Sequence, residues 1–376
     1  MIYFDNAATT RVCPEAAQAA LEVMTRDFGN PSSRYALGAA ASERLASDRA
    51  VVAQALGCQP EEVIFTSCGT EGDNWAIQAA LEAGKRKGKH IITTAIEHSA
   101  VLEPLRDLAA RGYEVTYLRP DRSGHLSPSS LESALRPDTV LVSMMLVNNE
   151  LGTLLPVREA AEASRRSGCP ALLHTDAVQG FLKVPFTPES LGVDLLTVSG
   201  HKIGAPKGIG ALYIRRGLRV SPLFLGGGQE RGLRPGTEPT PQIAALAAAC
   251  RVWLDHRTEY TNCMKEIKDH FLLSLQSALP QVVVVSPGDA PHICAISLPG
   301  YPSEMLLREL SDRDICVSAG SACRRGKPSY VFAATGRPKG ELLGTLRVSF
   351  SPENTREEAE ALVSALAEIA QSRVSL

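Results

Sequence analysis

Lys202 stands in VSGHKIGAPKGIGALYI, residues 198–214, just behind an apolar run and ahead of a bend crowded with glycine and proline. Asp176 closes the run in LLHTDAVQG, residues 172–180, and His98 follows a third run in TTAIEHSAVL, residues 93–102. Taken singly, each has a plain structural account: a solvated turn lysine, a helix-capping carboxylate, a structural histidine. Together they change meaning, because the carboxyl ends of strands are where open α/β sheets bind ligands. A lysine able to form a Schiff base and an acid able to pair with a pyridinium nitrogen are the two groups that pyridoxal 5'-phosphate (PLP) needs most from a protein. The acid keeps the ring nitrogen protonated, so the ring can withdraw electrons from a substrate carbanion.

A phosphate-binding element has its own candidate. FTSCGTEGDN, residues 65–74, passes from strand to helix through Cys68, Gly69 and Thr70. Free backbone N–H groups and a hydroxyl would meet there at a helix N-terminus. The alternative is an ordinary N-cap. No Walker loop occurs in the chain, and the GIG at 208–210 lacks the rest of a dinucleotide fingerprint. Cys323, in VSAGSACRRGKPSY, is followed closely by two arginines and a lysine. Nearby positive charge favours the thiolate, the nucleophilic form. Cys316, within an apolar run, suits an inert buried thiol.

These residues need a scaffold. EVIFTS, HIITTA, EVTYL, TVLVSMM, ALLHTDA and DLLTVSG read as strands, and segments between them such as EHSAVLEPLRDLAARG carry apolar residues at helical spacing with a closing glycine. Strand-helix alternation predicts a largely parallel sheet covered by helices. The link from TVSG to GALYI is too short for a crossover helix, so the strand Gly210 to Ile214 is expected to run antiparallel. After GGGQERGLRPGTEPT a helix is expected from about Pro241 to Leu279. It leads to a second pattern of strand, strand, helix, strand in VVVVS, HICAISL, PSEMLLREL and ICVSAG. ENTREEAEALVSALAEIAQ has a capping-box-like start and an apolar stripe, the marks of a surface helix.

At 376 residues the chain is long enough for one large domain and a smaller one. It balances 39 Lys plus Arg against 41 Asp plus Glu, so no basic excess points to nucleic acid. The start MIYFDNAATT has neither the basic nor the apolar region of a signal peptide, and no apolar run is long enough to span a bilayer. A cytoplasmic protein is expected. Its 9 cysteines are scattered without a C-x-x-C pair, which predicts that most are reduced, buried and inert.

From YFDNAATT through FGNPSS, FTSCGTEGDN, EHSAV, VNNELGT, HTDAVQ, SGHKIGAPKGIGALY and GGGQERGLRPGT to SAGSAC and LRVSFS, the chain resembles the cysteine desulfurases, the NifS/IscS-like group of class V aminotransferases. The resemblance spans essentially the whole chain. It implies PLP fold type I: a mainly parallel seven-stranded sheet in a large PLP-binding domain over 14–250, with 1–13 and 251–376 forming a smaller α+β domain that carries the cysteine loop. It also implies that Lys202 holds PLP as a Schiff base, Asp176 pairs with the pyridinium nitrogen and Gln179 bonds the ring's phenolic oxygen. His98 would stack on the ring and move protons. Thr70, Ser199 and His201 would bind the phosphate, with Thr237 reaching across from a partner subunit in a homodimer. Arg347 and Asn149 would hold the substrate carboxylate, for which a guanidinium fork is apt. Cys323 would take the sulfur of L-cysteine as a persulfide, releasing alanine and passing sulfur to an acceptor protein for iron-sulfur assembly or tRNA thiolation. No metal, membrane or direct nucleic-acid contact is implied.

Some positions depart from that pattern. Tyr35 stands where Leu-His usually follows NPSS, Cys68 replaces a glycine, and Pro235 replaces the serine before GT. CRRGKPSY is shorter than the long catalytic loop of the housekeeping enzymes, and the end at Leu376 lacks their scaffold-docking extension. A selenocysteine lyase or a class V aminotransferase is the nearest alternative, although an aminotransferase has no need of GSAC. A non-catalytic PLP-binding protein is a further alternative, against which stand Lys202, Asp176 and Cys323 themselves.

Overall fold

The computed structural model describes residues 1–320 and 329–374. The chain opens with β1 (Ile2–Tyr3), α1 (Pro14–Thr25) and α2 (Ala36–Leu56). Strands and helices then alternate: β2 (Val63–Thr66), α3 (Gly69–Gly84), β3 (His90–Thr94), α4 (Ser99–Ala110), β4 (Glu114–Leu118), α5 (Pro128–Ala134), β5 (Thr139–Ser143), α6 (Val157–Ser167), β6 (Leu172–Asp176), α7 (Pro188–Leu191), β7 (Leu195–Ser199) and β8 (Gly210–Ile214). Strand segments such as VIFT, HIITT, TVLVS and LLTVS are near-continuous apolar runs because helices cover both faces of the sheet. Only β4 shows exposed positions, Glu114 and Tyr117, as an edge strand should.

These strands, β1 aside, form one 7-stranded sheet in the order β2-β8-β7-β6-β5-β3-β4. Pairings from β4 through β7 are parallel, and β8 runs antiparallel to both neighbours, as the short link before it requires. The carboxyl ends of β6 and β7 therefore open at the same edge, with Asp176 opposite Thr197 and Ser199 two residues farther along β7.

The remainder comprises α8 (Thr240–Ala278), β9 (Val283–Ser286), β10 (Ile293–Ser297), α9 (Ser303–Ser311), β11 (Ile315–Cys316), α10 (Tyr330–Ala334), α11 (Lys339–Leu342), β12 (Thr345–Ser349) and α12 (Arg356–Val374). At 39 residues α8 is on the order of 60 Å long. Its alanine-rich first half is buried against α1 and α2, and α12 packs on it as well. The start of α12 is a true capping box: Thr355 Oγ1 accepts from Glu358 N and Glu358 Oε2 accepts from Thr355 N, both at 3.2 Å.

Two expectations need correction. The strand expected in ICVSAG is shorter than the motif: β11 covers Ile315–Cys316 and pairs in parallel with β1, Ser318 adds a single antiparallel bridge to Arg347, and β10 lies between β9 and β12. Asp314 at φ +56° and Gly320 at φ +89° bound that segment. A Cβ at Gly320 would also collide with the Glu150 carboxylate, so glycine is required there on both counts. Nor are most cysteines buried. Among the 8 described, Cys250 and Cys294 are buried and the others half-buried: Cys13, Cys58, Cys68 and Cys169 at helix ends, Cys263 on α8 and Cys316 in β11. Burial nonetheless raises the thiol pKa at Cys13 and Cys263 and pushes Cys58 and Cys294 up to about 12, which keeps them protonated and unreactive. No helix among the described residues is long and apolar enough to cross a membrane.

Candidate active site

Beyond β7 the backbone makes a tight turn over Gly200–Lys202. The N-terminal segment clasps that turn: Thr10 N and Thr10 Oγ1 both donate to His201 O, and Gly204 N donates to Thr10 Oγ1 at 2.8 Å. Trp253 of α8 donates its indole N–H to Ile203 O at 2.9 Å from below. Lys202 is thereby held with Nζ donating to Ala7 O and Ala8 O, both at 2.7 Å. Burial lowers its pKa to about 8, with Arg347 adding to the effect and Asp176 and Asp5 opposing it. A lysine in that range is neutral often enough to attack a carbonyl.

Asp176, at the end of β6, is buried and accepts from Val178 N at 2.9 Å. Burial pushes its pKa up to about 7, the neighbouring Asp73 carboxylate pushes the same way, and His98 opposes. Asp73, one turn into α3, is likewise pushed up to about 7 by burial. Its Oδ1 lies 3.5 Å from His174 Nε2 yet has no hydrogen-bond partner among the described residues. Asp176 is thus a buried carboxylate raised further by a second one, and a protonated ring nitrogen would supply the cation it lacks. His98 caps α4 by accepting Ala100 N–H on Nδ1 at 3.2 Å, which leaves Nε2 as the ring nitrogen free to act in the cavity. Burial first, and Lys202 after it, lower its pKa, while Asp176 works the other way.

At the opposite end, α3 begins at Gly69 behind an extended Cys68 that makes no side-chain cap. The first N–H groups of α3 are thus left for something else to satisfy. Gly72 lets this turn press onto the sheet, since a Cβ there would stand 2.6 Å from Thr197 Cγ2. Thr70, Ser199 and His201 surround the same space. His201 Nδ1 is 3.3 Å from Thr9 Oγ1, and burial followed by the charges of Lys202, Lys207 and Lys183 lowers its pKa to about 4, so the ring is neutral.

Arg347 enters from β12. It is buried, donating from Nη1 to Asn149 O at 2.9 Å and from Nη2 to Asp5 Oδ1 at 2.6 Å. Its Nε and Asn149 Oδ1 have no hydrogen-bond partner among the described residues. An incoming carboxylate would share this fork with Asp5.

One cavity of about 510 Å³ gathers Gly69, Thr70, His98, Asn149, Asp176, Gln179, Ser199, His201, Lys202 and Arg347. Thr237 is not among its lining residues and is exposed. Cys323 lies outside the described residues, a few positions beyond Gly320, which does line the cavity. Sequence reasoning missed Asp73, although a residue four positions after Gly69 on a helix shares its face. It also missed Ala7 and Ala8, which act through backbone oxygens and carry no side-chain signal.

The class V aminotransferase family model matches residues 2–362. The chain belongs to the class V aminotransferase family. This class V enzyme is 41% identical over 377 residues to "Cysteine desulfurase" of Trichormus azollae, covering 99% of the chain and 93% of that protein. It is 40% identical to "Cysteine desulfurase IscS" of Methanosarcina thermophila, covering 98% and 92%. A solved structure titled "NIFS-LIKE PROTEIN" superposes with a TM-score of 0.93 at 35% identity over 98% of the chain and 99% of that structure. Another, "SspA in complex with cysteine", gives 0.79 at 32% over 94% and 100%. The fold is PLP fold type I and the enzyme is PLP-dependent. The cavity suits that cofactor on its own terms: it offers a lysine of lowered pKa, a buried carboxylate pair short of a cation, and an uncapped helix N-terminus.

Proposed function

We infer that this enzyme is a cysteine desulfurase, converting L-cysteine to L-alanine and leaving the sulfur as a persulfide on Cys323. The observation that carries the reading is the single cavity that joins Lys202, Asp176 and the Arg347 fork in a chain so similar to cysteine desulfurases. Lys202 would attach the cofactor through its amine, Asp176 would pair with the pyridinium nitrogen and Gln179 would donate to the ring's phenolic oxygen. The first turn of α3, Gly69 with Thr70, together with Ser199 and His201 would hold the phosphate. Arg347 and Asn149 orient the substrate carboxylate.

When bound, PLP would supply an electron sink for charge developing at the substrate Cα. His98 moves protons at that carbon from its free Nε2. The Cys323 thiolate attacks the substrate sulfur, the Cβ–S bond breaks, and the Cβ carbon takes up a proton. Cysteine plus enzyme thiol gives alanine plus enzyme persulfide, with atoms and electrons balanced and no outside oxidant. The persulfide then passes to an acceptor protein serving iron-sulfur assembly or tRNA thiolation. A reducing cytoplasm would keep Cys323 available as a thiol.

The working unit is a homodimer in which Thr237 of one copy completes the phosphate site of the other. Within each copy, residues 14–250 bind PLP, while 1–13 and 251–376 form the smaller domain that brings Cys323 to the cavity. The test is incubation with L-cysteine in the absence of any oxo acid. Alanine release with Cys323 one sulfur atom heavier by mass supports the reading. Alanine that forms only when an oxo acid is added would make the enzyme an aminotransferase instead.

A further inference from the structure

Behind the cavity lie three buried polar side chains, Gln179, His292 and Lys183. Gln179 Nε2 donates to Ala7 O at 2.9 Å, the same carbonyl that accepts from Lys202 Nζ. On its far side, Gln179 Oε1 lies 3.3 Å from His292 Nε2. The reverse amide orientation would set Oε1 against the Ala7 carbonyl, two acceptors with no proton between them. An amide oxygen only accepts, so His292 Nε2 must carry the hydrogen.

The rest of this group explains why that nitrogen is protonated. Neither His292 Nδ1 nor Lys183 Nζ has a hydrogen-bond partner among the described residues, and both side chains are buried. Burial keeps His292 neutral, and after burial the Lys183 charge acts most strongly in the same direction. A neutral ring with Nε2–H leaves Nδ1 as an acceptor, able to take a hydrogen bond from an N–H donor such as the Lys183 amine, whose pKa burial lowers to about 7.

We propose that His292 is a positioning residue: its Nε2–H fixes the Gln179 amide so that the NH₂ edge faces Ala7 O and the cofactor cavity. One N–H of that edge goes to Ala7 O, and the other is left for the ring's phenolic oxygen. Lys183, whose charge acts on His292, biases the ring toward this tautomer. This rests on the reading of Gln179 as the donor to that oxygen.

The experiment uses the full chain, stripped of cofactor and titrated with PLP, with the visible absorption band and ¹⁵N NMR of His292 as readouts besides activity. His292→Gln sets an amide nitrogen near the position of Nε2 and keeps a donor, whereas His292→Met keeps bulk without one. His292→Met should bind PLP ~10-fold more weakly with a shifted band, while His292→Gln stays within ~3-fold of wild type. Wild-type His292 should show the Nε2–H tautomer, and Lys183→Met should convert it to a mixture. Equal losses in the Gln and Met variants, with both folded, would make His292 a mere filler and overturn the proposal. So would an Nδ1–H tautomer in the wild type, a measurement that stands even if His292→Met fails to fold. Gln179→Met separates the two readings: no change in affinity or band means Gln179 does not meet the ring, while a change there without one in His292→Met sinks only the role of His292.

Discussion

Lys202 owes its reactivity to placement more than to residue type. Two backbone carbonyls hold its amine while burial, reinforced by Arg347, brings its pKa from 10.5 to about 8. A lowered pKa means that the neutral amine appears above about 8, two units earlier than for a free lysine. The rate of PLP attachment to the cofactor-free protein should therefore climb from pH 6 and flatten just above pH 8, as followed by stopped-flow absorbance. A rate still climbing at pH 10 would show an unperturbed lysine. Lys202→Ala should form no covalent adduct, which borohydride reduction and peptide mapping would read directly. Cys323 makes the complementary case. Cys323→Ala should keep the colour and bind cysteine, yet release alanine at least ~100-fold more slowly, because only a thiolate can accept the substrate sulfur. Wild-type turnover in that variant would favour β-elimination on the same cofactor. Cys68→Ala and Cys316→Ala should change turnover little.

At the scale of elements, the strands were legible because both faces of the sheet are covered, which turns each strand into an apolar run. The antiparallel β8 followed from the length of one loop. What sequence could not reveal was pairing across long separations: β1 with β11, and β12 beside β10. Lys183 and His292 gave no signal, since only tertiary packing makes them buried. Glu97 is a similar case, and it joins several elements. Its Oε1 accepts from Thr94 Oγ1 at 2.7 Å, both carboxylate oxygens accept from Met145 N at 3.0 Å, and its carbonyl accepts from Tyr330 OH at 2.6 Å. Burial pushes its pKa up from 4.5 to about 8 against those hydrogen bonds. The folded state therefore keeps a proton that the unfolded chain releases above 4.5, so its stabilising contribution is full below 4.5 and is lost as pH rises through about 8. Glu97→Gln cannot ionise. The wild-type minus variant unfolding free energy should fall between pH 5 and pH 8.5, by on the order of a few kcal/mol in urea melts of the cofactor-free protein. A flat difference would mean that Glu97 titrates normally.

The whole molecule has one unassigned commitment, the loop that ends at Thr237. Glu230 and Arg231 sit at φ +46° and +61°, strained for residues with side chains, and the loop around them is bolted down. Arg49 donates to Glu230 at 2.8 and 2.5 Å, Phe65 N donates to it at 3.1 Å, and Arg231 reaches Val63 O at 3.0 Å. Farther along, Arg234 grips Glu71 in the first turn of α3 at 3.0 and 3.3 Å. Such anchoring holds the loop to its own subunit while Thr237 stays exposed and outside its own cavity. A fixed, outward-facing threonine suits a site on another copy, the arrangement proposed above for the homodimer. Subunits carrying Lys202→Ala and subunits carrying Thr237→Ala should then complement each other at limiting PLP. Each mixed dimer would contain one cavity with both native residues and one with neither. An equal mixture after full exchange would place roughly a quarter of all cavities in the native state, and alanine release should recover to about that fraction of wild type. If Thr237 served its own subunit, every cavity in the mixture would carry one lesion and the mixture would do no better than the average of its parents. An active monomer in sedimentation at assay concentration would exclude the shared site as well, because the clamp made by Arg49, Glu230, Arg234 and Glu71 leaves Thr237 outside the cavity of its own chain.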